Sequence, residues 1–331
     1  MNIFITLDYE LFFGEQTGSV DRCMIKPTEA LLKIVDPYKI KITLFVDSGY
    51  LLALEKQKNI FPKLKEDYEK VVKQLKYLSK NGHGIELHIH PHWEDSFYNG
   101  EKWVFNTKRY KLSDFSELEI LDIVTRYTKV LKKITGNPPI VFRAGGWSAQ
   151  PFEPIQKALI ANNIFIDSTV FPKGSHVSCH QFYDFKKVPK FVTKYQFSNE
   201  FTDINKEGYF TEIPISSYKV KPWFFWVFAL KKIFKTKKHL AYGNGSAIKM
   251  PKKEMFRLLL TPSYSVVSID GFKASLINNA FKLYKKHTSI NDNFVLIGHP
   301  KAFTEYSLQK TKFFIEQTHN NHNFVTYTLQ K

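Results

Sequence analysis

The chain contains the stretch GIELHIHPHW at residues 84–93, in which three histidines directly follow a short apolar run. Such a run is typical of a buried strand, so the histidines are expected where that strand ends. Neutral imidazole is the commonest metal ligand among side chains. A single histidine here would be read as a polar loop residue, but three within five positions indicate a metal site.

Two other apolar runs end in groups that bind metals or transfer protons. NIFITLDYE at residues 2–10 ends with Asp8 and Glu10, and FVLIGHP at residues 294–300 contains His299 after its apolar part. The interior of a sheet or barrel cannot solvate charged groups, so such groups collect at the strand ends. The three runs together therefore predict an active site built from strand ends.

Strand-like runs alternate with amphipathic helical patterns along most of the chain. This alternation predicts a parallel α/β architecture, either barrel-like or doubly wound. The predicted strands lie near residues 2–7, 41–46, 85–89, 140–143, 164–167, 210–215, 294–298 and 323–329. The predicted helices lie near residues 27–35, 62–79, 116–136, 151–163, 270–287 and 301–319.

Three segments interrupt the alternation, at about residues 94–115, 172–209 and 217–266. Neither an internal repeat nor a low-complexity linker separates them from the rest of the chain. We therefore expect one domain over residues 1–331, with these segments as insertions. Loops that follow strands build the active sites of such folds, so the insertions are candidate substrate-binding elements.

Composition limits the classes of protein to consider. The chain has 331 residues, of which 43% are hydrophobic, and its formal net charge is +17. The two cysteines, Cys23 and Cys179, are too few for a disulfide framework, which suits a reducing compartment. The positive charge favours anionic partners such as lipid headgroups or phosphorylated substrates. No nucleic-acid-binding motif is visible, so we do not expect a nucleic-acid partner.

The histidine cluster suggests which imidazoles bind the metal. His88 and His92 stand at positions i and i+4, and in a turn that leaves a strand both can face one point. We predict that these two are ligands. His90 lies between them, and we expect it to point to the opposite face and, with Trp93, to contact the substrate.

The paired acids supply the other groups that a hydrolytic metal site needs. Asp8 and Glu10 share one face if the strand continues, because side chains alternate with a period of two. One carboxylate completes a site of two histidines and one acid, and the other stays free as a general base. The residues alone leave open which acid takes which role.

Two further strand ends carry candidate site residues. Arg143 ends an apolar run and precedes Gly145, Gly146 and Trp147. We expect the arginine to pair with a carboxylate and to lower its pKa, while the glycines let the backbone approach a ligand. Asp167 ends another run, where it either orients a catalytic histidine or caps a helix.

The order of these motifs resembles that of the polysaccharide deacetylase family, also described as the NodB-homology or carbohydrate esterase family 4 group. That family has an acidic pair, an H-x-x-x-H motif, an arginine motif, an aspartate motif and a late histidine. The corresponding segments here are Thr6–Glu10, Gly82–His92, Phe142–Gly146, Asp167–Thr169 and Ile297–His299.

The resemblance implies a distorted (β/α) barrel with inserted loops and one divalent metal ion. Zinc is the first expectation, with Co²⁺, Ni²⁺ and Fe²⁺ as alternatives. By the same resemblance, Glu10 joins His88 and His92 as the third ligand. The implied activity is hydrolysis of an N-acyl group, usually N-acetyl, on an amino sugar in bacterial surface-polysaccharide or O-antigen biosynthesis.

The resemblance also implies the catalytic roles. Asp8, tuned by Arg143, takes a proton from the attacking water, and His299, oriented by Asp167, protonates the leaving amine. Two alternatives remain open. In the first, the chain is an enzyme that removes a formyl group or hydrolyses another amide. In the second, it is a catalytically silent glycan-binding or scaffold protein.

The substrate and its location follow from other features. The chain begins directly with a strand-like run, without a secretory signal pattern, so we expect a cytoplasmic protein. This favours a nucleotide-linked or lipid-linked sugar. Residues 222–238 combine large aromatic side chains with lysines. They suit either peripheral contact with the anionic inner face of a membrane or a buried helix with a solvated end.

Overall fold

The structure is a computed structural model that describes residues 1–178, 181–234, 236–247 and 251–327. Cys179 and the end of the predicted strand 323–329 lie outside the described residues. The strands of the described part are β1 Asn2–Tyr9, β2 Thr43–Asp47, β3 Gly84–Ile89, β4 Phe97–Tyr98, β5 Trp103–Val104, β6 Val141–Ala144, β7 Ile166–Asp167, β8 Ser175–Val177, β9 Phe182–Asp184, β10 Tyr195–Phe197, β11 Phe210–Glu212, β12 Ser217–Val220, β13 Ser263–Val266, β14 Asn293–Gly298 and β15 Asn323–Phe324.

Helices follow most of the long strands, as the alternating pattern predicts. They are α1 Lys26–Val35, α2 Ser48–Gln57, α3 Pro62–Lys80, α4 Glu117–Thr135, α5 Glu153–Ala161, α6 Pro222–Phe234, α7 Lys252–Leu260, α8 Ile277–His287 and α9 Glu305–Thr318. Helix α2 was not predicted from the sequence. The side chain of Asp47 accepts a hydrogen bond from the Tyr50 backbone N–H and caps its first turn.

One sheet holds the core of the described chain. Its strand order is β10-β11-β7-β6-β3-β2-β1-β14, with β15 also paired to β1, and all its pairings are parallel except that of β10 with β11. The sheet is curled into a half-barrel with helices around it. The prediction of an α/β fold, a distorted (β/α) barrel, is therefore confirmed.

Irregular segments close much of the gap between the two ends of the sheet. The Ser216 N–H donates to the Val295 carbonyl at 3.0 Å, and the Ile297 N–H donates to the Val267 carbonyl at 3.1 Å. Backbone groups left unpaired in the interior are costly, and these bonds satisfy β14 on its second side. Because β14 precedes His299, they also fix where that histidine leaves the sheet.

Helix α4 begins with a capping box. Ser116 accepts from the Glu119 backbone N–H, and Glu119 in turn accepts from the Ser116 N–H at 2.9 Å. The helix ends at Gly136, whose φ of 82° suits glycine. Helix α4 packs against α5 and against β3, the strand that carries His88.

The three predicted insertions contain short elements of their own. Strands β4 and β5 form a hairpin within 94–115, β8 and β9 form another within 172–209, and β12 and β13 frame α6 and α7 within 217–266. Among the described residues, none of the helices combines the length and the apolar character needed to cross a bilayer.

Candidate metal and active site

Four strands bring charged and polar side chains to one edge of the sheet. Asp8 and Glu10 stand at the end of β1, His88 near the end of β3, Arg143 near the end of β6, and His299 directly after β14. Parallel strands end at the same edge, and this edge is where ligands bind in such sheets. The two acids, His88 and Arg143 are nevertheless buried, so their charges are compensated within the protein.

Glu10, His88 and His90 form the candidate metal site. One ligand atom from each lies within 4.8 Å of the other two. The Glu10 Oε2 atom is 3.4 Å from His88 Nε2 and 2.6 Å from His90 Nε2. None of these three atoms has hydrogen-bond geometry to a partner, although all are buried. Converging, unsatisfied lone pairs of one carboxylate and two imidazoles fit a divalent cation of the zinc type.

The His88 tautomer suits a metal ligand. Its Nδ1 lies 2.9 Å from the backbone carbonyl oxygen of Arg143. A carbonyl only accepts hydrogen bonds, so Nδ1 carries the proton and Nε2 keeps its lone pair facing Glu10. A hydrogen bond of this kind at the second ring nitrogen fixes the orientation of most metal-binding histidines.

The grouping of the side chains differs from the predicted division of roles among the histidines. His92 is not in the cluster, and His90 takes its place. Side chains on a strand alternate, so positions 88 and 90 share a face, whereas we had expected opposite faces. At Pro91 the chain turns into a 3₁₀ helix, Pro91–Asp95. The buried His92 ring lies beside the cluster, 5.5 Å from the His90 ring, and stacks on Tyr110.

Asp8 lies beside the ligand cluster and is held by Arg143. The Arg143 Nη1 atom donates to Asp8 Oδ1 at 2.7 Å. Burial acts to raise the pKa of the Asp8 carboxyl, but the guanidinium and the neighbouring histidines together hold it below its ordinary value. Asp8 is thus an ionised carboxylate whose second oxygen, Oδ2, is 3.6 Å from His299 Nε2.

Arg143 is fixed on all sides. Its guanidinium nitrogens donate to the Thr6 hydroxyl, the Ser168 carbonyl and the Ser168 hydroxyl. The same group lies 3.8 Å from the centre of the Phe45 ring. A buried arginine with this many acceptors has one available geometry. The Asp8 carboxylate is therefore held in place as well as kept ionised.

The sequence predicts that Asp167 orients His299, but the carboxylate that contacts this ring is that of Asp270. The Asp270 carboxylate lies 2.7 Å from His299 Nδ1 and also accepts from the His299 backbone N–H at 2.7 Å. Burial acts to lower the pKa of His299, but Asp270 and Asp8 raise it above its ordinary value. Asp270 follows Val266, Val267, Ser268 and Ile269, a largely apolar run whose end is a signal that the sequence-based prediction missed.

Asp167 is turned away from His299. Its carboxylate accepts from the Thr169 N–H at 2.7 Å and the Thr169 hydroxyl at 3.0 Å. Its register partner on β11 is Glu212, which is also fully buried. Burial raises the pKa of Asp167 to about 6, and burial together with Asp167 raises the pKa of Glu212 well above its ordinary value.

Lys301 is a second site residue that the sequence analysis missed. Its Nζ donates to Glu10 Oε1 at 2.9 Å and also to the Leu11 carbonyl. Burial acts to raise the pKa of Glu10, but Lys301 and His90 bring it well below its ordinary value. The lysine thus occupies one carboxylate oxygen of Glu10 and leaves the other facing the histidines. Its position two residues after His299 was the available signal.

The predicted substrate-binding residues have mixed placements. Trp93 is buried, and its indole N–H donates to Asp47 Oδ2 at 2.6 Å, so it supports the site from within. Asp47 ends β2, and burial raises its pKa to about 6. Gly145 lies so close to His90 that a Cβ there would stand 2.5 Å from its Nδ1. Glycine is therefore needed here to make room for a ligand imidazole.

The remaining two lie further along the same loop. Gly146 has a φ of 58°, and its carbonyl accepts from the Gln181 side-chain amide. Trp147 is half-buried against Phe171 and Tyr183, with ring centroids 5.4 and 5.6 Å away. The loop after β6 therefore packs against the 172–209 insertion.

An aromatic cavity of about 320 Å³ opens beside the ligand cluster. The Phe13 ring forms part of its wall and is 4.3 Å from the His90 ring. The 94–115 insertion supplies the facing wall. The cavity is lined by Phe13, Gly14, Glu15, Lys102, Trp103, Val104, Phe105 and Thr107.

Comparisons with known proteins give only distant similarities. No family model matches the chain, and no curated protein matches it. A polysaccharide deacetylase from Bacillus cereus is 12% identical over 99% of this chain and 92% of its own, with a TM-score of 0.41. A putative polysaccharide deacetylase from Mycobacterium smegmatis is 15% identical over 92% and 81%, also with a TM-score of 0.41.

A third solved structure is described as a family 4 carbohydrate esterase pseudoenzyme from Bacillus anthracis. It is 13% identical over 49% of this chain and 41% of its own, with a TM-score of 0.30. Similarities at this level assign neither a family nor an activity.

Proposed function

We propose that the protein is a metal-dependent hydrolase of the polysaccharide deacetylase type, which removes an N-acyl group, in the first place N-acetyl, from an amino sugar. One observation carries this proposal. Unsatisfied lone pairs of Glu10, His88 and His90 converge on one point, with the ionised Asp8 and the Asp270-paired His299 beside them. This arrangement provides a metal site, a base and an acid within one buried edge of the sheet.

A divalent cation at this point would supply Lewis acidity, which lowers the pKa of a water molecule and polarises an acyl carbonyl. Glu10 Oε2, His88 Nε2 and a ring nitrogen of His90 would hold it. The protein keeps these atoms ready, because Lys301 occupies the other oxygen of Glu10 and the Arg143 carbonyl fixes the tautomer of His88.

Asp8 is the base of the proposed reaction. Arg143 keeps its carboxylate ionised and fixed, with Oδ2 free to accept a proton from water. The water oxygen attacks the amide carbon as that proton leaves. A base with a lowered pKa is ionised across the neutral range, so the form that accepts the proton is present throughout it.

His299 is the acid. Its pKa is raised mainly because Asp270 and Asp8 outweigh the effect of burial, so the ring carries a proton at a higher pH than an ordinary histidine. It donates the Nε2 proton to the amine nitrogen as the carbon–nitrogen bond breaks. Water and amide thereby become a carboxylic acid and a free amine.

The substrate fits the surroundings of the site. Aromatic faces beside the cluster suit the apolar faces of a sugar ring, and the polar groups of Glu15, Lys102 and Thr107 suit its hydroxyls. We propose a nucleotide-linked or lipid-linked amino sugar of surface-polysaccharide biosynthesis. We also propose that the protein is cytoplasmic.

Acid release from defined sugars tests the proposal. The zinc-loaded protein is incubated with N-acetylated amino sugars, free, nucleotide-linked and lipid-linked, and acetate is measured. Acetate release that is lost in Asp8→Asn, while zinc content is retained, is the expected result. Absence of acetate from every sugar, with zinc bound, contradicts the deacetylase proposal.

Two alternatives have distinct outcomes in the same experiment. Formate release from N-formylated sugars, without acetate from the acetylated ones, identifies a deformylase or related amide hydrolase. Binding of glycans without release of any acid identifies a catalytically silent glycan-binding or scaffold protein. The acid, base and ligand groups lie together in one site, and this favours the enzyme over the silent protein.

A further inference from the structure

Helices α6 and α7 form a surface whose apolar side chains face solvent. Trp223 and Trp226 are 63% and 53% exposed, and Ile233 and Phe234 are each 71% exposed. These positions, with Leu230, recur at helical spacing and so form one stripe along α6. In a solvated helix such a stripe would pack on the core, and here it points outward.

The opposite side of α6 anchors the helix to the body of the protein. Phe224 is only 4% exposed, and its ring stacks on Phe272 with centroids 5.2 Å apart. The two helices are joined where the Trp226 indole N–H donates to the Leu259 carbonyl at 3.0 Å. The exposed stripe is thus presented by a held helix.

Helix α7 extends the same kind of surface. Met255, Phe256 and Leu260 are exposed large apolar side chains on a helix of nine residues. Residues 217–266 carry ten lysines and one arginine but a single acid, Glu254. That acid is paired with Arg257. Exposed apolar side chains among lysines that have few acids near them are complementary to an anionic membrane surface, where negatively charged headgroups cover an apolar interior.

We propose that α6 and α7 dock the protein on an anionic membrane surface. The exposed stripe enters the headgroup region, and Lys221, Lys237, Lys238, Lys252 and Lys253, all exposed, contact the lipid phosphates. Each lysine close to such a surface contributes roughly a fivefold gain in affinity at low salt. The helices lie on the surface, because neither is long enough to span it.

The docking surface is tied to the edge of the sheet that carries the site. In the segment between α6 and α7, the Gly243 N–H donates to the Lys301 carbonyl at 3.0 Å and the Ser246 N–H donates to the Gln16 carbonyl at 2.8 Å. Docking would therefore bring this edge towards a lipid-linked sugar. This last step rests on the proposed function, whereas docking itself does not.

Vesicle co-sedimentation without any sugar substrate tests the docking, so its outcome is independent of the deacetylase reaction. The whole protein is mixed with phosphatidylglycerol–phosphatidylcholine vesicles or with phosphatidylcholine vesicles alone, at low and high salt. We expect binding to the anionic vesicles at low salt, a loss of at least about tenfold in affinity at high salt, and little binding to neutral vesicles.

Matched variants locate the contact. Ile233→Ser/Phe234→Ser and Lys237→Gln/Lys238→Gln should each weaken binding by about tenfold or more. The controls are Leu118→Ser, on a side chain 80% exposed on α4, and Lys129→Gln/Lys132→Gln on the same helix, and both should bind as the wild type does. Folding of each variant is checked by its thermal transition.

Three outcomes would overturn the proposal. One is absence of binding at low salt, and another is equal loss of binding in the α4 controls. The third is self-association of the wild type that Ile233→Ser/Phe234→Ser abolishes while vesicle binding is absent. In that case a second copy of the chain covers the stripe, and light scattering during size-exclusion chromatography measures it.

Discussion

The strand-end site and the α6–α7 surface each place side chains in an environment that is unfavourable for them, but the side chains are of opposite kinds. The site buries ionisable groups, with Glu10 and His88 inside the sheet edge, whereas the surface exposes Trp223 and Ile233 to water. Burying a charge and exposing a large apolar group both cost free energy. This cost is the reason why we propose a binding partner for each region, a cation for the first and a membrane for the second.

The two regions differ in how the cost is offset within the protein. In the site, Arg143 pairs with Asp8, Lys301 with Glu10, and Asp270 with His299. On the surface, Phe224 on the reverse side of α6 packs on Phe272, and the apolar stripe stays largely exposed. Substitutions in the site should therefore disturb chemistry, metal binding and stability together. Substitutions on the surface should leave all three almost unchanged.

The largest effect is expected from removing the imidazole ligands. His88→Ala/His90→Ala should abolish zinc binding. A single general acid contributes about 10²–10⁴-fold to the rate, and we expect the loss of turnover in the double variant to be larger than that. Two of the three converging donors would be missing, so one carboxylate would remain. Zinc is measured by elemental analysis after loading and dialysis.

His92→Ala is the control for that double variant, because its buried ring stacks on Tyr110 outside the ligand cluster. We expect it to retain one zinc per chain. The opposite pattern, with zinc lost in His92→Ala and retained in His90→Ala, would show that the H-x-x-x-H spacing identifies the ligands and the described arrangement does not.

The next largest effect concerns the acid. His299→Ala should lower kcat by about 10²–10⁴-fold while zinc stays bound, since the ring donates a proton and is not in the ligand cluster. Activity within a few-fold of the wild type would show that another group protonates the amine. Zinc content and kcat are measured on the same preparation.

The pH profile separates the role of Asp270 from a general loss of structure. Burial lowers the pKa of His299 and Asp270 raises it, so removing the carboxylate lowers it. The wild-type rate falls as pH rises through the raised pKa, and in Asp270→Asn the fall should begin at a lower pH. An unchanged alkaline limb would contradict the positioning role.

Lys301→Met should reduce stability in a way that zinc reverses. Removing one partner of a buried ion pair typically costs about 3–5 kcal/mol, and here it leaves the Glu10 carboxylate without its cation. Bound zinc replaces that charge, so the loss should be smaller in the loaded protein. Urea unfolding with and without zinc measures both values.

Lys157→Met provides the matched control, because its ion pair with Glu117 is exposed. Exposed pairs contribute about 0–1 kcal/mol, and zinc should not alter that value. Lys301→Arg should retain most of the stability. An equal cost of Lys301→Met with and without zinc would show that the lysine is a structural residue unrelated to the cation.

Asp47 should give a smaller, pH-dependent effect in the metal-free protein. Burial raises its pKa from 3.8 to about 6, so between these values the folded chain binds more protons than the unfolded chain. Stability therefore falls as pH rises across this window, by roughly 1–3 kcal/mol. Asp47→Asn should reduce this decline in urea unfolding, to which Asp167 also contributes, and a decline of unchanged size would contradict the prediction.

The sequence predicts the sheet and most strand-end residues because their pattern is local. Apolar runs that end in Asp8, His88, Arg143 and His299 coincide with β1, β3, β6 and β14. The fold class follows from the same alternation. Helix α2 escaped prediction, because residues 48–51, 53 and 54 are all buried and leave no amphipathic stripe in the sequence.

The partners of those residues are not predictable in the same way, because they depend on which loops meet in space. Asp270 reaches His299 from a segment that runs beside β14, and Lys301 reaches Glu10 from a position 291 residues later in the chain. A family motif suggested Asp167 for the first role, but its carboxylate faces Thr169. The choice between His90 and His92 depends on where β3 ends and the chain turns.

The smallest effect is expected on the docking surface, and it completes the comparison. Ile233→Ser should change the free energy of unfolding by less than about 0.5 kcal/mol, because its side chain is exposed. Phe224→Ala on the reverse side of the same helix should cost about 3–5 kcal/mol, since it removes a buried ring from its contact with Phe272. Urea unfolding of both variants in the absence of lipid tests this difference.

A cost for Ile233→Ser as large as that for Phe224→Ala would mean that the stripe packs on the protein itself. A small cost together with lost vesicle binding would mean that the apolar side chains are retained for a membrane.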